Sequence, residues 1–130
     1  MVEGGLSVMG EKRTAILVAE DEPSARLGLR SLLGDEGFEV QVAVDGVDAL
    51  AKLEGFRPDV LLIDVKMPRL DGIGFFRQAR KLLPLVPAIF MTGLSDKELV
   101  ASGLKGEPGV FFIQKPVDLD ELLPLIARRP

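Results

Sequence analysis

From residue 14 onward, continuous apolar runs alternate with stretches in which apolar residues return every three or four positions. The runs are TAILVAE (14–20), FEVQVA (38–43), DVLLID (59–64), PAIFMT (87–92) and VFFIQK (110–115). They are short and mostly rich in branched or aromatic residues, which fit a pleated surface, so they predict strands. Between them Ala25, Leu29, Leu32 and Leu33 fall on one helical face, as do Ile73, Phe76, Ala79 and Leu83. Boundary residues agree with this division. Pro23 suits a first helical turn, Gly34 and Gly37 suit a helix end, and Asp45, Asp71 and Asp118 can each accept from the free N–H groups that open a helix. Two segments depart from the regular pattern. Pro124 stands inside the last predicted helix and should kink or shorten it, and SDKELVASGLKGEPGV (95–110) predicts a short fourth helix followed by a loose glycine-rich loop.

Five strands, each followed by a helix, predict an α/β domain with a five-stranded parallel sheet covered by helices on both faces. The expected arrangement is a flavodoxin-like, doubly wound (βα)5 fold with strand order 2-1-3-4-5. The whole chain is 130 residues long, enough for one such core and too short for two. The domain is expected over residues 14–130. Residues 1–13 mix glycine, serine and charges without period and are expected to be a disordered leader or an expression remnant.

Composition narrows the chemistry. A net charge of -4 lacks the basic excess that direct nucleic-acid contact needs. No run approaches the ~20 apolar residues of a membrane span, and the opening MVEGGLSVMGEKR has glycines where a signal peptide needs a hydrophobic stretch, so a cytoplasmic location is expected. The chain has no cysteine and no histidine, which excludes disulfides, thiolate nucleophiles, Ser-His-Asp triads and ordinary zinc sites. Carboxylates, lysines, hydroxyls and hard metal ions remain.

In an open α/β sheet ligands bind beyond the carboxyl ends of the strands. Those ends carry Glu20 and Asp21 after the first run, Asp64 after the third, Thr92 after the fourth and Lys115 after the fifth. Three carboxylates brought to one edge repel one another unless a cation compensates. Mg²⁺ is the natural one, since it takes oxygen ligands and is often held by one or two carboxylates. Asp21 and Asp64 are the candidate direct ligands, with Glu20 acting through water or orienting the site. A carboxylate beside a metal, a lysine and a hydroxyl can also attack phosphorus. Lys115 fits as the cation on the phosphoryl oxygens, and Thr92 as a hydroxyl donor to one of them.

Together ILVAEDEP, DVKMPRLDG, MTG and FFIQKP, in this order on five βα units, resemble the receiver domain of the two-component response-regulator family over about residues 14 to 127. The resemblance implies that Asp64 is the phosphoacceptor, that Asp21, Asp64 and the backbone carbonyl of Lys66 bind Mg²⁺, and that Glu20 completes the acidic pocket. It also implies that Thr92 and Lys115 hold the phosphoryl group and that Phe112 is the aromatic switch residue. Pro68 and Gly72 would shape the loop after the third strand, and a cis Lys115–Pro116 bond the turn after the fifth. The implied partners are a sensor histidine kinase or phosphotransfer protein, which supplies the phosphoryl group, and a downstream effector or output domain. Phosphorylation would draw Thr92 inward and let Phe112 turn in behind it. The readout face would be the fourth predicted helix, the fifth strand and the fifth predicted helix.

Several positions depart from the family pattern. Glu20 stands where aspartate is commoner, and Phe112 lacks a tyrosine's hydroxyl. The atypical 95–110 segment and Pro124 bear on the dimerisation surface, so the expected state is a monomer or weak homodimer. A module that catalyses its own phosphorylation slowly is the leading expectation. A phosphorylation-independent pseudo-receiver acting as an interaction module is the alternative. A metal-dependent phosphohydrolase would need a second acid two residues after the nucleophile, where Lys66 stands. The chain is expected to be a stand-alone regulator or a receiver from a longer or hybrid protein.

Overall fold

A computed structural model describes residues 13–93, 103–104 and 106–127. Its strands are β1 (Ala15–Ala19), β2 (Glu39–Ala43), β3 (Val60–Asp64), β4 (Ala88–Thr92) and β5 (Val110–Gln114). The helices are α1 (Pro23–Asp35), α2 (Gly46–Lys52), α3 (Gly72–Leu82) and the C-terminal α4 (Leu119–Ala127). The strands form one sheet in the order β2-β1-β3-β4-β5, and every pairing is parallel, as the alternating pattern predicts.

Strand side chains alternate between faces, and the core divides accordingly. Leu17, Ala19, Leu61 and Ile63 pack on one face with Phe75, Phe76 and Ala79 of α3 and Ala49 of α2. Ile16, Val18, Val60 and Leu62 pack on the other with Leu29 and Leu33 of α1 and Leu122 and Ile126 of α4. Every residue of β1 and β3 is buried, because both strands are covered above and below. That explains why their sequences are continuous apolar runs.

The predicted caps are observed. Asp45 accepts from Asp48 N–H at 2.8 Å, Asp71 from Gly74 N–H at 2.8 Å, and Asp118 from Asp120 N–H at 2.9 Å. At α1 the cap is Glu22, which accepts from Ala25 N–H at 2.7 Å beside a proline in the first turn. Gly34 is the penultimate residue of α1. Gly37, at φ 97°, takes the left-handed conformation just past it.

Pro124 lies inside the last helix, as expected, and α4 runs through it to Ala127. Leu122 and Ile126, one turn apart, are both buried against the sheet and hold the helix there despite the missing N–H. An interior proline costs a helix about 3 kcal/mol, offset by about 1 kcal/mol from its stiffening of the unfolded chain. Pro124→Ala should therefore stabilise the domain by about 2 kcal/mol in urea unfolding, since Pro124 is exposed and packs little.

The short helix and loose loop predicted between β4 and β5 fall largely on residues 94–102 and 105, outside the described residues. Gly103 and Leu104 are helical and Leu104 is buried. Most of the predicted leader, residues 1–12, also lies outside the described residues. No helix among the described residues is long and apolar enough to cross a membrane.

Candidate functional site

The parallel order brings the carboxyl ends of β1, β3, β4 and β5 to one edge of the sheet. Glu20 and Asp21 leave β1, Asp64 ends β3, Thr92 ends β4, and Lys115 follows β5. Glu20, Asp21 and Asp64 each offer a carboxylate oxygen, and these three oxygens lie within 4.8 Å of one another. Glu20 and Asp64 are buried, at 1% and 3% exposure, whereas Asp21 is exposed at the rim. Lys115 Nζ reaches Asp64 Oδ1 at 3.0 Å and Glu20 Oε1 at 3.4 Å.

The electrostatics follow from the burial. Loss of water pushes the Asp64 carboxyl from 3.8 up to about 7; the Lys115 ammonium pulls it down, and Glu20 pushes it further up. Burial alone would lower the Lys115 ammonium, but its hydrogen bond to Asp64 and the charges of Asp64 and Glu20 outweigh that and raise it, so Lys115 stays a cation. Lys115 thus meets two of the three acids. A compact group of hard oxygen donors with excess negative charge fits a small divalent cation.

Thr92 is half-buried, and its carbonyl accepts from Lys115 N–H at 2.7 Å, which ties the ends of β4 and β5 together beside Asp64. The Lys115–Pro116 bond is cis, as the family resemblance implies. Phe112 lies outward on β5 at 38% exposure, with its ring centroid 6.0 Å from that of Phe90. The Lys66 side chain is exposed, and its loop lines, with Asp21 and Pro68, an open cavity of about 370 Å³ at the rim. Gly72 closes that loop. Its N–H donates to Val65 O at 2.9 Å, and a Cβ there would sit 2.2 Å from the Asp64 carbonyl oxygen. A groove of about 570 Å³ leads from Glu20 and Lys115 along α1, walled by Leu29, Leu32, Met91 and Val117.

Several contributors escape sequence reasoning. Arg26, in α1, donates to the carbonyl oxygens of Glu20 at 3.0 Å and Asp21 at 3.1 Å, fixing the backbone that carries the acidic pair. Its place one turn into a helix that follows two acids is the only local signal. Glu22 N–H donates to Glu20 Oε2 at 3.1 Å. Arg69 Nε meets the buried carboxylate of Asp45 at 2.7 Å across 24 residues of sequence, a contact no local pattern announces.

Comparison with known proteins gives a consistent picture. Residues 16–127 match the model of the response regulator receiver domain. The chain is 34% identical over 118 residues to the DNA-binding transcriptional regulator NtrC of Salmonella typhimurium, covering 90% of this chain and 25% of that protein. It is 38% identical over 108 residues to the response regulator MprA of Mycobacterium avium, covering 83% of this chain and 47% of that one. The chain therefore spans less than half the length of these relatives. Among solved structures, a response regulator receiver domain protein from Clostridium thermocellum superposes with a TM-score of 0.81 at 29% identity, over 89% of this chain and 93% of that one.

Proposed function

The chain belongs to the response regulator receiver domain family, and from that premise we propose that it is a switch controlled by phosphorylation of Asp64. The observation that carries the reading is one cluster: a buried Asp64 at the end of β3, Lys115 at 3.0 Å, and Glu20 and Asp21 with oxygens within 4.8 Å.

Asp64 is the nucleophile. Deprotonated, it attacks phosphorus; an Oδ–P bond forms as the donor's bond to phosphorus breaks, and the electron pair leaves with the donor. Lys115 remains charged and faces the phosphoryl oxygens, where its positive charge offsets the charge developing in transfer. Thr92, at the neighbouring strand end, supplies a hydroxyl to the same group. Asp21, Asp64 and the Lys66 carbonyl would hold Mg²⁺, with Glu20 acting through water. When bound, the metal supplies charge neutralisation on the transferred group. The family's donor is the phosphohistidine of a kinase or phosphotransfer protein, and with no histidine among these 130 residues the donor lies outside them. The groove along α1 opens beside Lys115, where such a donor must approach. A partner or output domain reads the result, through Thr92 and an inward turn of Phe112. The domain works in the cytoplasm over residues 14–130.

Incubation with Mg²⁺ and acetyl phosphate should add the mass of one phosphoryl group to the intact protein, and chelation of Mg²⁺ should prevent it. Asp64→Asn should show no adduct. An adduct of equal yield on the Asn variant would move the acceptor elsewhere. Continuous hydrolysis without any adduct would point to a phosphohydrolase.

A further inference from the structure

Between Asp64 and α3 the chain makes a tight reversal. Leu70 N–H donates to Pro68 O at 2.8 Å, closing a γ-turn centred on Arg69, whose φ is 68°. A γ-turn with its central residue at positive φ is the strained form, and Arg69 is the only non-glycine residue at positive φ among the described residues. Strain of this kind persists only where surrounding contacts impose it. Here two contacts do so, and both come from the start of α2.

Arg69 Nε meets Asp45 Oδ2 at 2.7 Å, and the Asp45 side chain is 6% exposed although that of Arg69 is 60% exposed. The other oxygen of Asp45 is engaged in capping α2 at Asp48 N–H. One residue further, Gly46 N–H donates to Leu70 O at 3.0 Å, and a Cβ on Gly46 would lie 2.2 Å from that oxygen. Leu70 itself packs on the core beneath. The guanidinium also holds the Asp45 carboxyl below its ordinary range, so the pair is charged on both sides.

We propose that Arg69 and Asp45 form a latch that positions the phosphorylation loop: the ion pair pins the strained turn to α2, so that the Lys66 carbonyl and Asp64 are held in the geometry the metal requires. Arg69 is then a positioning residue, one that touches neither metal nor phosphate. Such a latch rests on the reading of the acidic cluster as a Mg²⁺ site. Outer contacts that orient metal ligands typically change affinity by ~10–100-fold when removed.

Glycine at 69 separates the two effects of the arginine, because it accepts positive φ without strain yet makes no ion pair. Arg69→Gly should keep or raise the melting temperature while weakening Mg²⁺ binding about tenfold, measured by calorimetry on the whole chain. Asp45→Asn keeps the helix cap and should weaken binding to a similar degree. The double variant should lose no more than the worse single one, since both remove the same contact. Amide exchange at Gly46 and Leu70 should speed up in both single variants. Wild-type affinity in Arg69→Gly, or additive losses in the double variant, would overturn the latch. If the wild-type protein itself took up no Mg²⁺, the metal reading would fail on its own. The exchange rates would then decide the latch, with unchanged rates overturning it.

Discussion

Asp64→Asn should make the domain more stable above pH 7 while removing its capacity for phosphate. The sign follows from the proton balance. In the metal-free fold the Asp64 carboxyl titrates at about 7 rather than its ordinary 3.8. Between those values the folded state keeps a proton that the unfolded state has lost. Stability then falls as pH rises, and the deficit is complete above about pH 7. At about 1.4 kcal/mol per tenfold, the deficit is at most about 4 kcal/mol. Asparagine, close in shape to the protonated acid, removes the deficit, and the pull of Lys115 is already contained in the value of about 7. The expected gain is at most about 4 kcal/mol at pH 8, shrinking towards zero near pH 4, as read from urea unfolding across that range. Saturating Mg²⁺ should raise the melting temperature of the wild-type protein and leave the variant nearly unmoved. A variant less stable than wild type at pH 8 would mean that the buried acids are not in conflict.

Gly72→Ala should cost about 3 kcal/mol or more and abolish phosphate uptake together with it. The added methyl would stand 2.2 Å from the Asp64 carbonyl oxygen and 2.9 Å from Ile63 Cγ2. Neither neighbour can yield easily, because β3 is wholly buried and paired on both sides. The start of α3 must move instead, which breaks the Gly72–Val65 hydrogen bond that closes the loop. Gly28→Ala is the matched control. Gly28 lies within α1 and has nothing within 4 Å of an added Cβ, so alanine there should stabilise by about 0.5–1 kcal/mol. Equal stability of the two variants in urea would contradict the close approach at Gly72.

Most of this architecture is legible in the chain because its signals are local. The strands of the sheet appear as short apolar runs, and the capping aspartates Asp45, Asp71 and Asp118 mark where helices begin between and after them. The acidic cluster is legible for a different reason: once the runs are strands of one parallel sheet, Glu20, Asp21, Asp64 and Lys115 must share an edge. What sequence cannot supply is the contact made by a long side chain across the fold. Arg26 and Arg69 look like ordinary solvated arginines, and only the folded geometry shows that their guanidiniums hold backbone or buried carboxylate near the site. Pro124 carries a local penalty that sequence does show, and the burial of Leu122 and Ile126, which holds α4 together around it, is a property of the fold.

The division of the core into two layers bears on how a chemical event at Asp64 can spread. β3 is bonded along both edges and packed on both faces, so it has no soft direction in which to yield. Of the two outer strands, β2 and β5, only β5 leads directly into a residue that touches Asp64, Lys115 at 3.0 Å, and its Phe112 and Gln114 are exposed. We expect bulk added at Asp64 to be taken up at that margin before any interior strand shifts.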